Sequence, residues 1–195
     1  MLGTGNRETD CNAEPNQLCE NLTIQNQLNN IPITHIGDYA FRFRNRLKFI
    51  YIPNTIIFLG YDCFGYIYTL ENVIFEERSN TSLVFDQGVF YRTNMTSIRL
   101  PNKILSEHDY VFSLSKIKNV IYCGMNNVYG SWFLEMSPPI IYVHPLYPYM
   151  NFANVTNLVF SKVCEVNVKC NCPSMNYPSC SFYRISILLN VIIIS

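Results

Sequence analysis

The chain is 195 residues long, with 14 basic and 14 acidic side chains and a formal net charge of zero. Hydrophobic residues make up 49% of it and charged residues 14%, which excludes a disordered chain and suffices for one domain with a sizeable core. No basic run is present to attract a phosphate backbone, so no nucleic-acid partner is expected.

Residues 1–30 read as an N-terminal lead or cap. The opening MLGTGNRETD lacks an apolar h-region, so no signal peptide is visible. That leaves a fragment, an incorrect start or an unusual export route. Cys11 and Cys19 lie close enough in sequence to form a small disulfide staple.

From residue 31 a phrase repeats. Phe41, Phe64, Phe90, Phe112 and Phe133 follow one another at 23, 26, 22 and 21 residues. After the first four comes an apolar position five or six residues on: Leu47, Leu70, Met95 and Ile117. An alternating apolar pair then follows each of the five: Ile50 and Ile52, Val73 and Phe75, Ile98 and Leu100, Val120 and Tyr122, Ile141 and Val143. Alternation over so few residues marks a short strand with one face buried, and a repeat of this length marks a solenoid. Pro53-Asn54 and Pro101-Asn102 end two of the strands. In IGDYAF and LGYDCF, Gly37 and Gly60 are read as permitting a tight bend, and Phe41 and Phe64 as filling the coil. The insertion EERSNTS lengthens the third turn and is expected to form a loop on one face.

The run ITHIGDYAFRFRNRLKFIYIPNTIIFLGYDCFGYIYTLENVIF resembles the BspA-type leucine-rich repeat family, whose repeat runs Ile-Gly, two variable residues, Ala-Phe, a Leu, then Ile-x-Ile-Pro. The resemblance spans about residues 31–145. It weakens along the chain: the fourth turn, SEHDYVF, has lost its glycine, and the fifth keeps only Phe133 and IIYVHP. VIYCGMNNVYGSWF and IIYVHPLYP resemble the closing segment of protozoan members. The fold class so implied is a β-rich leucine-rich repeat solenoid of about four to five turns, with short parallel strands and capping ends. Cys63 stands where the family has Ala, before the core Phe, so it is expected to be a buried free thiol. The resemblance implies a surface or secreted protein that adheres to a host-cell or extracellular-matrix protein.

The outward strand positions carry the expected binding surface. By alternation they include Phe49, Tyr51, Ile74, Arg99, Ile121 and Tyr142, beside Asn72, Ser97, Asn119 and Ile140. Strands lie about 4.8 Å apart, so five rungs span roughly 20 Å. A mostly apolar strip with Tyr and Arg suits protein recognition; the alternative is that these side chains merely cover the sheet or meet the C-terminal segment. Sequons at Asn21, Asn80, Asn94 and Asn154 are glycosylation candidates and fit secretion.

Residues 146–184 read as a C-terminal cap with a Cys-rich segment. Its four cysteines, Cys164, Cys170, Cys172 and Cys180, lack the Cys-x2-4-Cys spacing of structural zinc sites, so disulfides or thiols are expected and no metal. The tail, residues 185–195, is read either as a terminal strand or as the start of a membrane anchor, and so leaves attachment to a membrane open. His35, His108 and His144 fall in separate repeats, and no Gly-x-Ser-x-Gly or His-Glu-x-x-His motif is present. No cofactor and no enzymatic activity are expected. Two functions stand: a recognition module, or a variable antigenic coat protein with no dedicated partner.

Overall fold

The computed structural model describes residues 20–77 and 81–164. These residues wind into a β-solenoid of about five turns with parallel strands and almost no helix. One face is built by β1 (Asn21–Thr23), β5 (Phe49–Ile52) and β7 (Asn72–Phe75), then by β9 (Ser97–Arg99), β11 (Asn119–Tyr122), β12 (Ile140–Val143) and β13 (Leu158–Phe160). Both groups are parallel sheets, ordered β1-β5-β7 and β9-β11-β12-β13. The parallel ladder begins at Asn21, ahead of Ile31, because Leu22 pairs with Ile50. Between β1 and β5, β2 (Gln27–Leu28) and β3 (Ile31–Pro32) form an antiparallel hairpin. Its turn residues, Asn29 and Asn30, both have positive φ, as a two-residue type I′ turn requires.

The repeat puts its apolar pairs inside. Ile50, Ile52, Val73, Ile98, Leu100, Val120, Tyr122, Ile141 and Val143 are all buried, and Phe75 packs against them. The five anchor phenylalanines stack into a continuous spine. Ring centroids are 5.3, 5.6, 5.4 and 5.8 Å apart from Phe41 to Phe133, with planes within 12° of parallel. One turn cannot bury such a ring; the turns on either side do it.

A second parallel sheet, not expected from the alternation, runs along the coil. It is ordered β10-β8-β6-β4, from β4 (His35–Ile36), β6 (Phe58–Leu59), β8 (Leu83–Phe85) and β10 (Ile104–Leu105). Each strand sends apolar side chains inward: Ile36, Leu59, Leu83 with Phe85, and Ile104.

The corners around each spine Phe hold an unusual backbone. Tyr39 and Phe43, Asp62 and Tyr66, Gly88 and Arg92, and Tyr110 and Leu114 all have positive φ, two residues before and two after the Phe. This left-handed region is costly for bulky side chains. It persists because it lets alternate N–H groups donate along the coil axis. Tyr39 donates to the Tyr61 carbonyl at 2.8 Å, Phe41 to Cys63 at 2.8 Å, and Phe43 to Gly65 at 3.2 Å. Asp62, Phe64 and Tyr66 donate in the same way to Gln87, Val89 and Tyr91. The neighbouring turn thus over-determines the strained corner.

Gly37 and Gly60 do not act as the bends expected of them. Neither Gly37 nor Gly60 has positive φ. A Cβ on Gly60 would stand 2.8 Å from the Asp38 backbone nitrogen and 2.9 Å from the Gly37 carbonyl carbon. Gly60 permits two turns to approach, not one turn to bend.

At the C-terminal end Trp132, Phe152, Tyr122 and Tyr147 pack together, with ring centroids 5.0–6.0 Å apart. A 3₁₀ turn, Lys162–Cys164, follows β13 and brings Cys164 into a disulfide with Cys123, 41 residues earlier. Cys164 is therefore not part of a four-thiolate cluster with Cys170, Cys172 and Cys180, which lie outside the described residues, as do Cys11, Cys19 and the 185–195 tail. Cys63 is buried and unpaired.

Candidate functional site

The parallel register assembles the outward positions into columns. Tyr51 stands between Thr23 and Ile74. Ile121 stands between Arg99 and Tyr142, and Tyr142 pairs onward with Val159. Phe49 lies one column over, between Asn21 and Asn72, and Ser97, Asn119 and Ile140 form the corresponding column of the second sheet. Ile74 is 48% exposed and Ile140 42%, while Phe49, Tyr51, Ile121 and Tyr142 are half-buried. β7 and β9 are neighbours but are not joined in one sheet, so the face consists of two blocks. The six expected residues fall on both: Phe49, Tyr51 and Ile74 on the first, Arg99, Ile121 and Tyr142 on the second.

The chemistry of this face is that of contact. Its columns carry aromatic, aliphatic, amide and hydroxyl groups, and Arg99 is their one charged side chain. Arg99 is exposed, yet the surrounding protein pushes its pKa down, with Glu77 acting in the opposite sense. At the upper rim the Asn54 N–H donates to Glu76 Oε2 at 2.9 Å. At the lower rim Lys48 Nζ meets Glu20 Oε1 at 2.8 Å, which raises the Lys48 pKa.

The other candidate groups are scattered. His35 lies against Thr34 and the Phe58 ring, His108 Nδ1 is 3.6 Å from Asp86 Oδ1, and His144 Nδ1 accepts from the Leu146 N–H at 3.1 Å. Burial pushes the Cys63 thiol well up, so it stays protonated. Among the described residues no group of three or more His, Cys, Asp or Glu is placed to hold a metal, and no helix is long and apolar enough to cross a membrane. Asn21 and Asn154 are exposed and Asn94 is half-buried; Asn80 lies outside the described residues. Asn154 Nδ2 donates to Ser131 Oγ at 3.0 Å.

A second surface escaped the reading of the sequence. At the left-handed corners the Arg42 guanidinium lies 4.7 Å from the Phe43 ring centre and 4.5 Å from that of Tyr66. Arg92 lies 5.6 Å from Tyr66 and from Tyr91. The clue was present: Phe43, Tyr66 and Arg92 each stand two residues after a spine Phe.

A solved leucine-rich repeat protein of T. pallidum is similar over 64% of this chain and 68% of its own, at 14% identity and a TM-score of 0.44. A leucine-rich cell surface protein of Faecalibacterium prausnitzii A2-165 is similar over 64% of this chain and 47% of its own, at 14% identity and a TM-score of 0.38. No curated protein matches. The family model described as BspA type Leucine rich repeat region matches residues 15–140 in 6 copies, and with that share of its length the chain belongs to the BspA-type leucine-rich repeat family.

Proposed function

We propose that this chain is a non-enzymatic recognition module, displayed on a cell surface or secreted, that grips a protein of the host cell or extracellular matrix. The supporting observation is the in-register column of Tyr51 and Ile74, then Arg99, Ile121 and Tyr142, on a backbone fixed by parallel pairing. Partly exposed aromatic and aliphatic groups with one Arg supply the contact types that dominate protein interfaces, and a rigid sheet offers them at little entropic cost. The Cys123–Cys164 disulfide suits an oxidising compartment and so export.

The test is saturable binding to epithelial cells and matrix proteins by the wild-type chain and by a variant with Tyr51, Ile74, Arg99 and Tyr142 changed to Ser. Loss in the variant, at unchanged melting temperature, is expected. Equal, non-saturable adsorption by both would sink the adhesive reading. It would favour the second one, an antigenic coat protein, which the drift of turns four and five from the repeat pattern supports.

A further inference from the structure

The left-handed corners border a shallow groove of about 290 Å³, lined by Tyr68, Arg92, Thr93, Asn94, Leu114 and Lys116. These residues come from three successive turns and belong to a different part of each repeat from the strand face. We propose that this groove binds an anionic saccharide, a pyranose ring bearing sulfate or carboxylate, independently of the strand face.

Three observations carry this. The first is charge. Arg92 and Lys116 are both exposed, and among the described residues neither has a carboxylate within ion-pair distance. The ion pairs found there use Arg42, Lys48 and His108 instead. Two un-neutralised cations on one groove attract an acidic group and fix its position.

The second is the aromatic wall. Tyr68 is 51% exposed and stands edge-on to Tyr66, whose ring also lies beside Arg92. Stacking holds the guanidinium in place before any ligand arrives. A half-exposed tyrosine beside fixed donors suits a sugar, which has an apolar C–H face and a polar rim. Asn94 adds a side-chain amide to that rim. The volume lies at the low end for small-ligand sites and matches a sugar unit rather than a folded segment.

The third discriminates against an acidic peptide. The corner N–H groups are already spent on the coil: Tyr66 donates to the Tyr91 carbonyl at 2.7 Å, Arg92 to Ser113 at 3.0 Å and Lys116 to Thr93 at 3.2 Å. No open strand edge is offered here for a peptide to extend, so recognition rests on side chains.

The test uses the full chain made without glycosylation, since a glycan on Asn94 would grow from the groove wall. Calorimetric titration would be run with heparin hexasaccharide, hyaluronan hexasaccharide, neutral dextran and poly-glutamate. Binding of heparin or hyaluronan, which separates sulfate from carboxylate, is expected to weaken with salt. It should fall about tenfold or more in Arg92→Ala and in Lys116→Ala, with no change in the strand-face Ser variant. Lys116 is exposed, so its variant keeps the fold and the test stands even where Arg92→Ala does not. Binding unaffected by Lys116→Ala, or no acidic saccharide binding at all, would overturn the proposal. Poly-glutamate binding as tightly as the saccharides would assign the groove to acidic peptides instead.

Discussion

Replacing Cys123 and Cys164 together by Ser opens a loop of 41 residues that encloses β12, β13 and Trp132. In the chain-entropy account, a closed loop of that length removes about 13 cal/mol/K from the unfolded segment, or about 4 kcal/mol at 25 °C. A solenoid is held turn by turn, so the loss falls on the turn inside the loop. Among the described residues β13 is an edge strand paired to β12 alone, so its protection rests on one neighbour. Four kcal/mol is roughly a thousandfold in a local opening constant. Native-state hydrogen exchange read by mass spectrometry should therefore show residues 146–164 losing protection by about that factor, with residues 49–75 unchanged. Reductant should reproduce the effect in the wild type and do nothing to the variant. Equal exchange in both proteins would refute the role of the bond. A loss spread evenly over the chain would refute turn-by-turn stability.

Three further outcomes are expected. Phe64→Ala empties the spine between Phe41 and Phe90 and should cost about 3–5 kcal/mol, read by denaturant unfolding; a cost near zero would mean the stack does not hold the coil. Gly60→Ala places a Cβ 2.8 Å from the Asp38 backbone nitrogen and should cost about 1–3 kcal/mol, although its φ is ordinary. Asp62 is buried, and burial pushes its carboxyl pKa up while Arg42 Nε, 3.3 Å away, pulls it only partly back. The folded chain thus holds this proton longer than the unfolded one, so stability falls as pH rises from the ordinary 3.8 to the raised value, and is flat above it. Asn tolerates the left-handed φ of 50°, and Asp62→Asn should abolish that fall; melting curves from pH 3 to 7 that keep the same slope would count against it.

The strand face, the spine and the buried pairs could be read from the sequence because each rests on periodicity. Ile50 and Ile52 alternate within a strand, and Phe41 to Phe133 recur at the length of a turn. β4, β6 and β10 hold two residues each, too few for alternation to register, so the second sheet did not show. The corners did not show because left-handed residues normally announce themselves as Gly or Asn, and here they are Tyr39, Phe43, Tyr66 and Leu114. Gly60 misled for the converse reason: it looks like a bend and serves the contact between turns. The disulfide partner of Cys123 depends on how β13 returns along the coil, which no local pattern states. The columns of the strand face followed once the register was known; the groove beside Arg92 and Lys116 combines three turns at a corner whose shape was not anticipated.

Two residues after each spine Phe the chain carries in turn Phe43, Tyr66, Arg92, Leu114 and Glu135, and every one is left-handed. An aromatic, a cation, an aliphatic and an acid all hold the same conformation. At Phe43, Tyr66 and Arg92 the N–H donates to the carbonyls of Gly65, Tyr91 and Ser113, so there the backbone of the adjacent turn, not the side chain, fixes the corner. Such a position is free to drift: the coil can change its chemical appearance rung by rung, while the load of folding rests on the spine beneath.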